Sequence, residues 1–249
     1  MSVSSCCLNT FQWDGVPTGR VGSLANNQAY IVGENPTAAI LLIHDLLGWT
    51  FPNLRLLADH YANEIGVTVY LPDFFGGESL PFEPILNERW QEIDVASFVA
   101  KNSREIREPE IFECARELRE KYAKIGAIGF CYGGWAVFRL GAATHAPPLV
   151  DCISTGHPTW LTKEDIDNVA VPVQLLAPEH DPVFTLELKQ HAFQTIIKKS
   201  IMFDYQHFPG VHHGCLTRGF EEKDGEREAL VQAKSAAVNW FTRFLQGKD

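Results

Sequence analysis

Gly129-Phe130-Cys131-Tyr132-Gly133-Gly134 is the stretch on which the fold turns. An apolar run, Ile125 to Phe130, enters it, and a segment of helical pattern, Trp135 to Ala143, leaves it. As G-x-C-x-G it is the nucleophile-elbow pattern with cysteine where serine is usual. A strand that turns at once into a helix crowds its own backbone, so glycine is needed on both sides of the apex. The apex side chain then stands clear of the sheet, above a helix N-terminus whose amides face a developing anion. The competing reading is a buried cysteine in a tight turn, with glycines for packing. Catalytic partners elsewhere in the chain separate the two.

Working outward, the elbow sits inside a strand–helix alternation. On the N-terminal side, Ala38–Ile43 is a continuous apolar run, the signature of a strand covered on both faces. It empties into His44-Asp45-Leu46-Leu47-Gly48-Trp49, and Pro52 opens a helix. A strand at Val67–Leu71 leads to Pro72-Asp73-Phe74-Phe75. Residues 78–108, with prolines at 81 and 84, read as an excursion over the sheet, and Pro109 as the start of the next helix. Beyond the elbow, strands are expected at Leu149–Ser154, Val171–Ala177 and Ile201–Tyr205. The segment Lys163–Asn168 reads as a polar connection, and the chain ends on a helix from about 225 to 245. Residues 1–28 read as a peripheral arm or hairpin. With no linker or repeat, the expectation is one α/β domain spanning 1–249, a mostly parallel sheet between helices.

Composition removes several function classes. The chain has 249 residues and a formal charge of -10, which disfavours nucleic acid and anionic membrane as partners. Six cysteines, with Cys6 and Cys7 adjacent and no C-x-x-C, are not a disulfide scaffold. Met1–Asn9 lacks a basic segment followed by an apolar one, and there is no 18-residue apolar run. A cytoplasmic protein with reduced thiols is expected, as monomer or homodimer. Cys6-Cys7 has no further ligands at zinc spacing, and neither metal nor cofactor is expected.

A cysteine nucleophile needs a base, and the base needs an orienting acid. Asp181 follows the next-to-last strand, in Glu179-His180-Asp181-Pro182. His213 lies after the last, in Gly210-Val211-His212-His213-Gly214. Nucleophile, acid, histidine is the α/β-hydrolase order, which makes an enzyme the preferred reading of Cys131.

Taken with Leu71-Pro72-Asp73, Gly156-His157-Pro158 and Phe208-Pro209-Gly210, these motifs make the chain resemble the dienelactone hydrolase family of the α/β-hydrolase superfamily, above all its fungal intracellular members. The resemblance runs from about Ala29 onward. It implies a three-layer α/β-hydrolase fold with an eight-stranded sheet and a triad of Cys131, Asp181 and His213. It also implies an oxyanion hole from the amides of Leu46 and Tyr132. A further carboxylate, normally glutamate, contacts the resting nucleophile in that family. Asp45, one methylene shorter, stands at this position. The family binds a substrate carboxylate with arginines, for which Arg218, Arg89 and Arg107 are candidates.

Trp49, Phe75, Trp90, Trp160 and His157 follow strand ends or lie in the excursion, and are candidates to line a substrate pocket. His44 is either a substrate contact or a donor in its turn, and Asp73 is expected to brace its loop. His212 is the rival of His213, and Glu179 that of Asp181; the resemblance implies His213, which precedes the small Gly214, and Asp181. Cys215 stands where the family commonly has an aromatic residue, which raises a reversible disulfide with Cys131 as a minor reading. The function expected is hydrolysis of a small ester or enol lactone through a cysteine acyl-enzyme. The alternatives are a broad carboxylesterase or thioesterase, and, prompted by Asp45, a catalytically silent ligand-binding or scaffold protein.

Overall fold

The computed structural model describes residues 15–78 and 80–247. Cys6-Cys7 and the rest of the segment before Gly15 lie outside the described residues. Arg20–Leu24 (β1) and Asn27–Val32 (β2) form a tight hairpin that makes one edge of an eight-stranded sheet. From Arg20 onward, then, the segment expected as a peripheral arm or hairpin is a hairpin, and it joins the sheet as its edge. Ala38–Ile43 (β3) follows, every residue buried, as its unbroken apolar run requires. Helix α1, Pro52–Tyr61, has proline in its first turn and no side-chain cap. A single π-helical turn, Ala62–Gly66, joins it to β4, Thr68–Pro72.

The excursion holds two short helices, Phe82–Leu86 (α2) and Val95–Lys101 (α3), the latter capped by the Asp94 carboxylate, which accepts from the Ser97 amide. Its end differs from expectation. Helix α4 runs Arg104–Lys121 and so begins five residues before Pro109, which lies inside it. Proline is tolerated there because its lost amide costs one helical bond near the N-terminus. The first turn is anchored from outside, by Arg104 forking onto both oxygens of the buried Asp165 at 2.8 and 2.9 Å. Such bidentate pairing is strong and geometrically specific.

Strand β5, Lys124–Phe130, enters the elbow, and helix α5, Gly133–Leu140, leaves it. Then come β6 (Cys152–Gly156), α6 (Lys163–Asn168), β7 (Val173–His180), α7 (Leu186–Ile196), β8 (Phe203–His212), α8 (Cys215–Arg218) and α9 (Glu226–Phe241). The segment read as a polar connection is thus helix α6. Its start is set by a reciprocal capping box between Thr162 and Asp165. Strand β8 outruns its predicted end at Tyr205 because residues 206–212 keep pairing with β7, across an irregularity at Pro178/His180.

Sheet order is β1-β2-β4-β3-β5-β6-β7-β8, with β1–β2 and β2–β4 antiparallel and the remaining pairs parallel. Helices α1 and α9 pack together in one layer, and α4, α5, α6 and α7 follow one another in the other. This is the mixed sheet between two helical layers of the α/β-hydrolase fold. All parallel strands share a direction, so their carboxyl ends open on one side, where such sheets place their sites. Among the described residues no helix is long and apolar enough to cross a membrane.

Candidate active site

The elbow is built by close approach. A Cβ on Gly129 would meet the Gly133 carbonyl oxygen at 2.1 Å, and one on Gly133 would meet that of Ile43 at 2.3 Å. Only glycine permits this turn. Cys131, at its apex, is held at φ 48°, a left-handed conformation costly for a side-chain-bearing residue. It persists because neighbours pin both sides. The Cys131 amide donates to the Gly156 carbonyl at 3.0 Å, and the Thr159 amide donates to the Cys131 carbonyl at 2.7 Å.

The partners arrive through sheet register. His180 of β7 pairs with His212 of β8, so the next residue of each strand, Asp181 and His213, sit side by side. His213 Nδ1 lies 3.0 Å from both Asp181 carboxylate oxygens, and its Nε2 lies 3.2 Å from Cys131 Sγ. Asp181 Oδ1 also accepts from the amides of Val183 and Phe184, which orients the carboxylate. Neither His212 nor Glu179 makes such contacts. His212 packs against His180 with ring centroids 4.8 Å apart and planes tilted by 37°, and Glu179 accepts from the Gly210 amide at 2.8 Å.

Electrostatics follow from this geometry. Burial disfavours a charged His213, but the charge of Cys131, the Asp181 hydrogen bond and the contact with sulfur outweigh it and raise its pKa to about 10. For Asp181, burial alone would raise the pKa. The His213 hydrogen bond and charge, with the Phe184 amide, prevail and lower it. The folded state therefore favours a protonated His213, above the ordinary value of about 6.5. The stability this group contributes is complete below about pH 6.5 and is lost as pH rises toward about 10. Urea denaturation of wild type and His213→Asn from pH 6 to 10 should show the gap between them narrowing as pH rises. A constant gap would contradict the raised value.

Asp45 is buried and engaged away from the sulfur. Its Oδ1 accepts from the Leu47 amide at 2.8 Å and its Oδ2 from the Thr217 hydroxyl at 2.7 Å. Burial raises its pKa despite these donors. The Cys131 Sγ partners are His213 and Thr159, whose Oγ1 lies 3.2 Å away. Asp45 braces the turn that presents Leu46, a turn closed by the Gly48 amide donating to the Asp45 carbonyl at 3.1 Å. No acceptor takes the Leu46 or Tyr132 amide among the described residues.

A cavity of about 890 Å³ opens over Cys131. Leu46, Leu47, Ile85, Val95, Trp160 and Val211 supply apolar walls, and Arg218, His212 and Lys223 supply polar ones. Arg218 is buried there, its Nη2 donating to the His213 carbonyl at 2.7 Å and to Glu226 at 3.3 Å, while its Nε has no partner. The other arginines lie outside the lining. Arg89 is paired with Glu83 and Glu92 at the surface, and Arg107 with Asn102 and Glu110. Arg107 still touches the site indirectly, since the Asn102 carbonyl accepts the Tyr132 hydroxyl at 3.1 Å.

Among the aromatic candidates, Trp160 and Trp90 line the cavity. Trp49 is turned to Arg55, whose guanidinium lies 4.9 Å over its ring. Phe75 is core, packed edge-on against His44 and Tyr132. His44 is a turn residue: Nδ1 pairs with the Asp45 carbonyl at 2.8 Å and Nε2 accepts from the Phe74 amide at 3.1 Å. Burial lowers its pKa to about 4. Asp73 braces its loop through the Phe75 and Gly77 amides. Cys215 and Cys131 are both free thiols, and Cys215 is wholly buried.

His157 lies behind the cavity, fully buried. Burial, then the neighbouring His213 charge, holds its pKa well below the ordinary value and keeps it neutral. Sequence reasoning passed over Thr159 and Thr217. Thr159 lay in a strand-end segment already under suspicion; Thr217 carried no local signal at all, being 172 residues from the carboxylate it holds.

The dienelactone hydrolase family profile matches residues 28–245. The chain belongs to this family, and is thereby an ester hydrolase of the α/β-hydrolase fold. It is 29% identical over 259 residues to the hydrolase tropI of Talaromyces stipitatus, covering 98% of this chain and 97% of that one. It is 28% identical over 212 residues to the mouse (Mus musculus) carboxymethylenebutenolidase homolog, covering 83% and 82%. Among solved structures, a dienelactone hydrolase-like promiscuous phosphotriesterase from metagenomic libraries superposes with a TM-score of 0.69 at 16% identity. That match covers 92% of this chain and 99% of the other.

Proposed function

We propose that the protein hydrolyses an ester or enol lactone through a covalent cysteine acyl-enzyme, with Cys131 as nucleophile, His213 as general base and Asp181 as its orienting acid. The observation that carries this reading is the unbroken line from Cys131 Sγ through 3.2 Å to His213 and through 3.0 Å to Asp181. Nucleophile, base and orienter within hydrogen-bond reach are the requirement for activating a thiol.

In this mechanism His213 Nε2 holds the proton taken from the Cys131 thiol, and Sγ attacks the acyl carbon as the thiolate. The tetrahedral oxyanion rests on the Leu46 and Tyr132 amides. Collapse breaks the ester C–O bond, and His213 returns the proton to the departing oxygen. His213 then deprotonates a water that attacks the thioester, and the Cys131 sulfur leaves as the acid forms. A thiolate is expelled readily from the tetrahedral adduct. Enol lactones and other activated esters, whose own leaving oxygen is also good, are therefore favoured over alkyl esters and amides. The volume and apolar walls of the cavity suit an acyl or leaving group of drug-like bulk. Arg218, at the cavity wall, is the group suited to a substrate carboxylate.

Acid-quenching the protein during turnover of an aryl ester and mapping its peptides by mass spectrometry tests this. The acyl mass is expected on the peptide carrying Cys131. Turnover with no acyl adduct, or an adduct on another side chain, would overturn the covalent assignment. Stoichiometric labelling without turnover would instead mark an impaired enzyme, and neither labelling nor turnover a binding protein.

A further inference from the structure

His157 is not used by the hydrolytic mechanism, yet it occupies an expensive position. It is fully buried, and among the described residues neither of its ring nitrogens has a hydrogen-bond partner. An unpaired buried polar group is destabilising, and a neutral imidazole leaves one nitrogen lone pair bare whichever tautomer it takes. The residue is also held in the left-handed region, at φ 39°, with its amide donating to the Leu176 carbonyl at 3.1 Å. The ring stands beside the triad, its centroid 4.9 Å from that of His213. One His157 nitrogen, one His213 nitrogen and Cys131 Sγ all lie within 4.8 Å of one another.

We propose that Cys131, His157 and His213 form a reversible inhibitory binding site for Zn²⁺. One sulfur and two imidazole nitrogens are the donor set of a borderline-soft cation, and they discriminate against Mg²⁺ and Ca²⁺, which take oxygen ligands. The outer shell is already in place: Asp181 holds His213 Nδ1 at 3.0 Å, the carboxylate–histidine arrangement that fixes a metal-bound imidazole. The fourth position faces the 890 Å³ cavity, which is also the entry path. Ligand atoms around zinc lie about 3.3–3.7 Å apart. The cluster closes to that spacing by a small movement of the His157 ring, which no hydrogen bond restrains.

Binding forms the Zn–S and Zn–N bonds as the one proton shared by Cys131 and His213 is released to solvent, with no change of oxidation state. Zinc takes up Cys131 Sγ and a His213 nitrogen, both of which hydrolysis needs, so occupancy and turnover exclude each other.

The test measures binding directly, with no need of a substrate. Zinc is titrated against a chromophoric chelator using wild type, Cys131→Ala and His157→Asn; asparagine tolerates the left-handed backbone at 157. Wild type should bind one Zn²⁺ per chain, with EDTA removing it, while Cys131→Ala should lose the site. His157→Asn should bind at least ~100-fold more weakly. Wild type loaded with Co²⁺ should show thiolate-to-cobalt charge transfer with intense tetrahedral visible bands, a readout that survives if the His157 variant fails to fold. Affinity unchanged in His157→Asn, absence of stoichiometric binding, or an octahedral cobalt spectrum would each overturn the proposal.

Discussion

Cys131→Ala is expected to lower kcat/KM for an activated aryl ester by at least ~10⁴-fold, a loss of about 5.5 kcal/mol of transition-state stabilisation. Alanine keeps the backbone amides of Leu46 and Tyr132 and the cavity wall, so substrate still binds and any oxyanion stabilisation survives. What disappears is the sulfur 3.2 Å from His213 Nε2, to which no other nucleophile is hydrogen-bonded. The residual rate is then that of water in a preorganised site. The loss should fall on kcat rather than KM. A kcat/KM within tenfold of wild type would remove Cys131 from the mechanism.

His213→Asn should cost at least ~10²-fold in kcat, the contribution of a positioned general base. Asparagine can still donate to Asp181, so the loop stays seated while proton transfer is lost. His212→Asn is the control. That ring packs tilted against His180 in the cavity wall and is hydrogen-bonded to neither Asp181 nor Cys131, so its loss should stay within about threefold. If activity instead vanishes with His212 and survives loss of His213, the base is wrongly assigned. Comparing the two variants on one ester under steady-state conditions decides it.

The core of this site was readable because its signals are local. Ala38–Ile43 and Ile125–Phe130 announce buried strands by apolar continuity, and glycines announce the elbow by what they lack. Chain order pointed to the segments holding Asp181 and His213, and the family resemblance ranked these two above Glu179 and His212. Errors gathered where a neighbour distant in sequence sets the structure. Helix α4 starts at Arg104 because Asp165 clamps it, and β8 extends past Tyr205 because β7 offers it partners. Of the arginines, Arg89 was taken up by Glu83 and Glu92. Nothing in a string of letters says which carboxylate a surface guanidinium will meet.

Residue pattern was sufficient for the α/β class, the strand–helix alternation and the elbow, since each depends on burial periodicity or on backbone geometry at a few adjacent positions, and it set the chain order of Cys131, Asp181 and His213. Tertiary structure alone decided what converges at the strand ends. The pairing of His180 with His212 sets Asp181 beside His213. The Thr217 hydroxyl donates to the Asp45 carboxylate, whose hydrogen bonds go to Thr217 and Leu47 and not to Cys131. The order β5-β6-β7-β8 brings His157 behind the triad with both nitrogens bare. Sheet order and register determine those meetings, and they arise from packing summed over the whole chain.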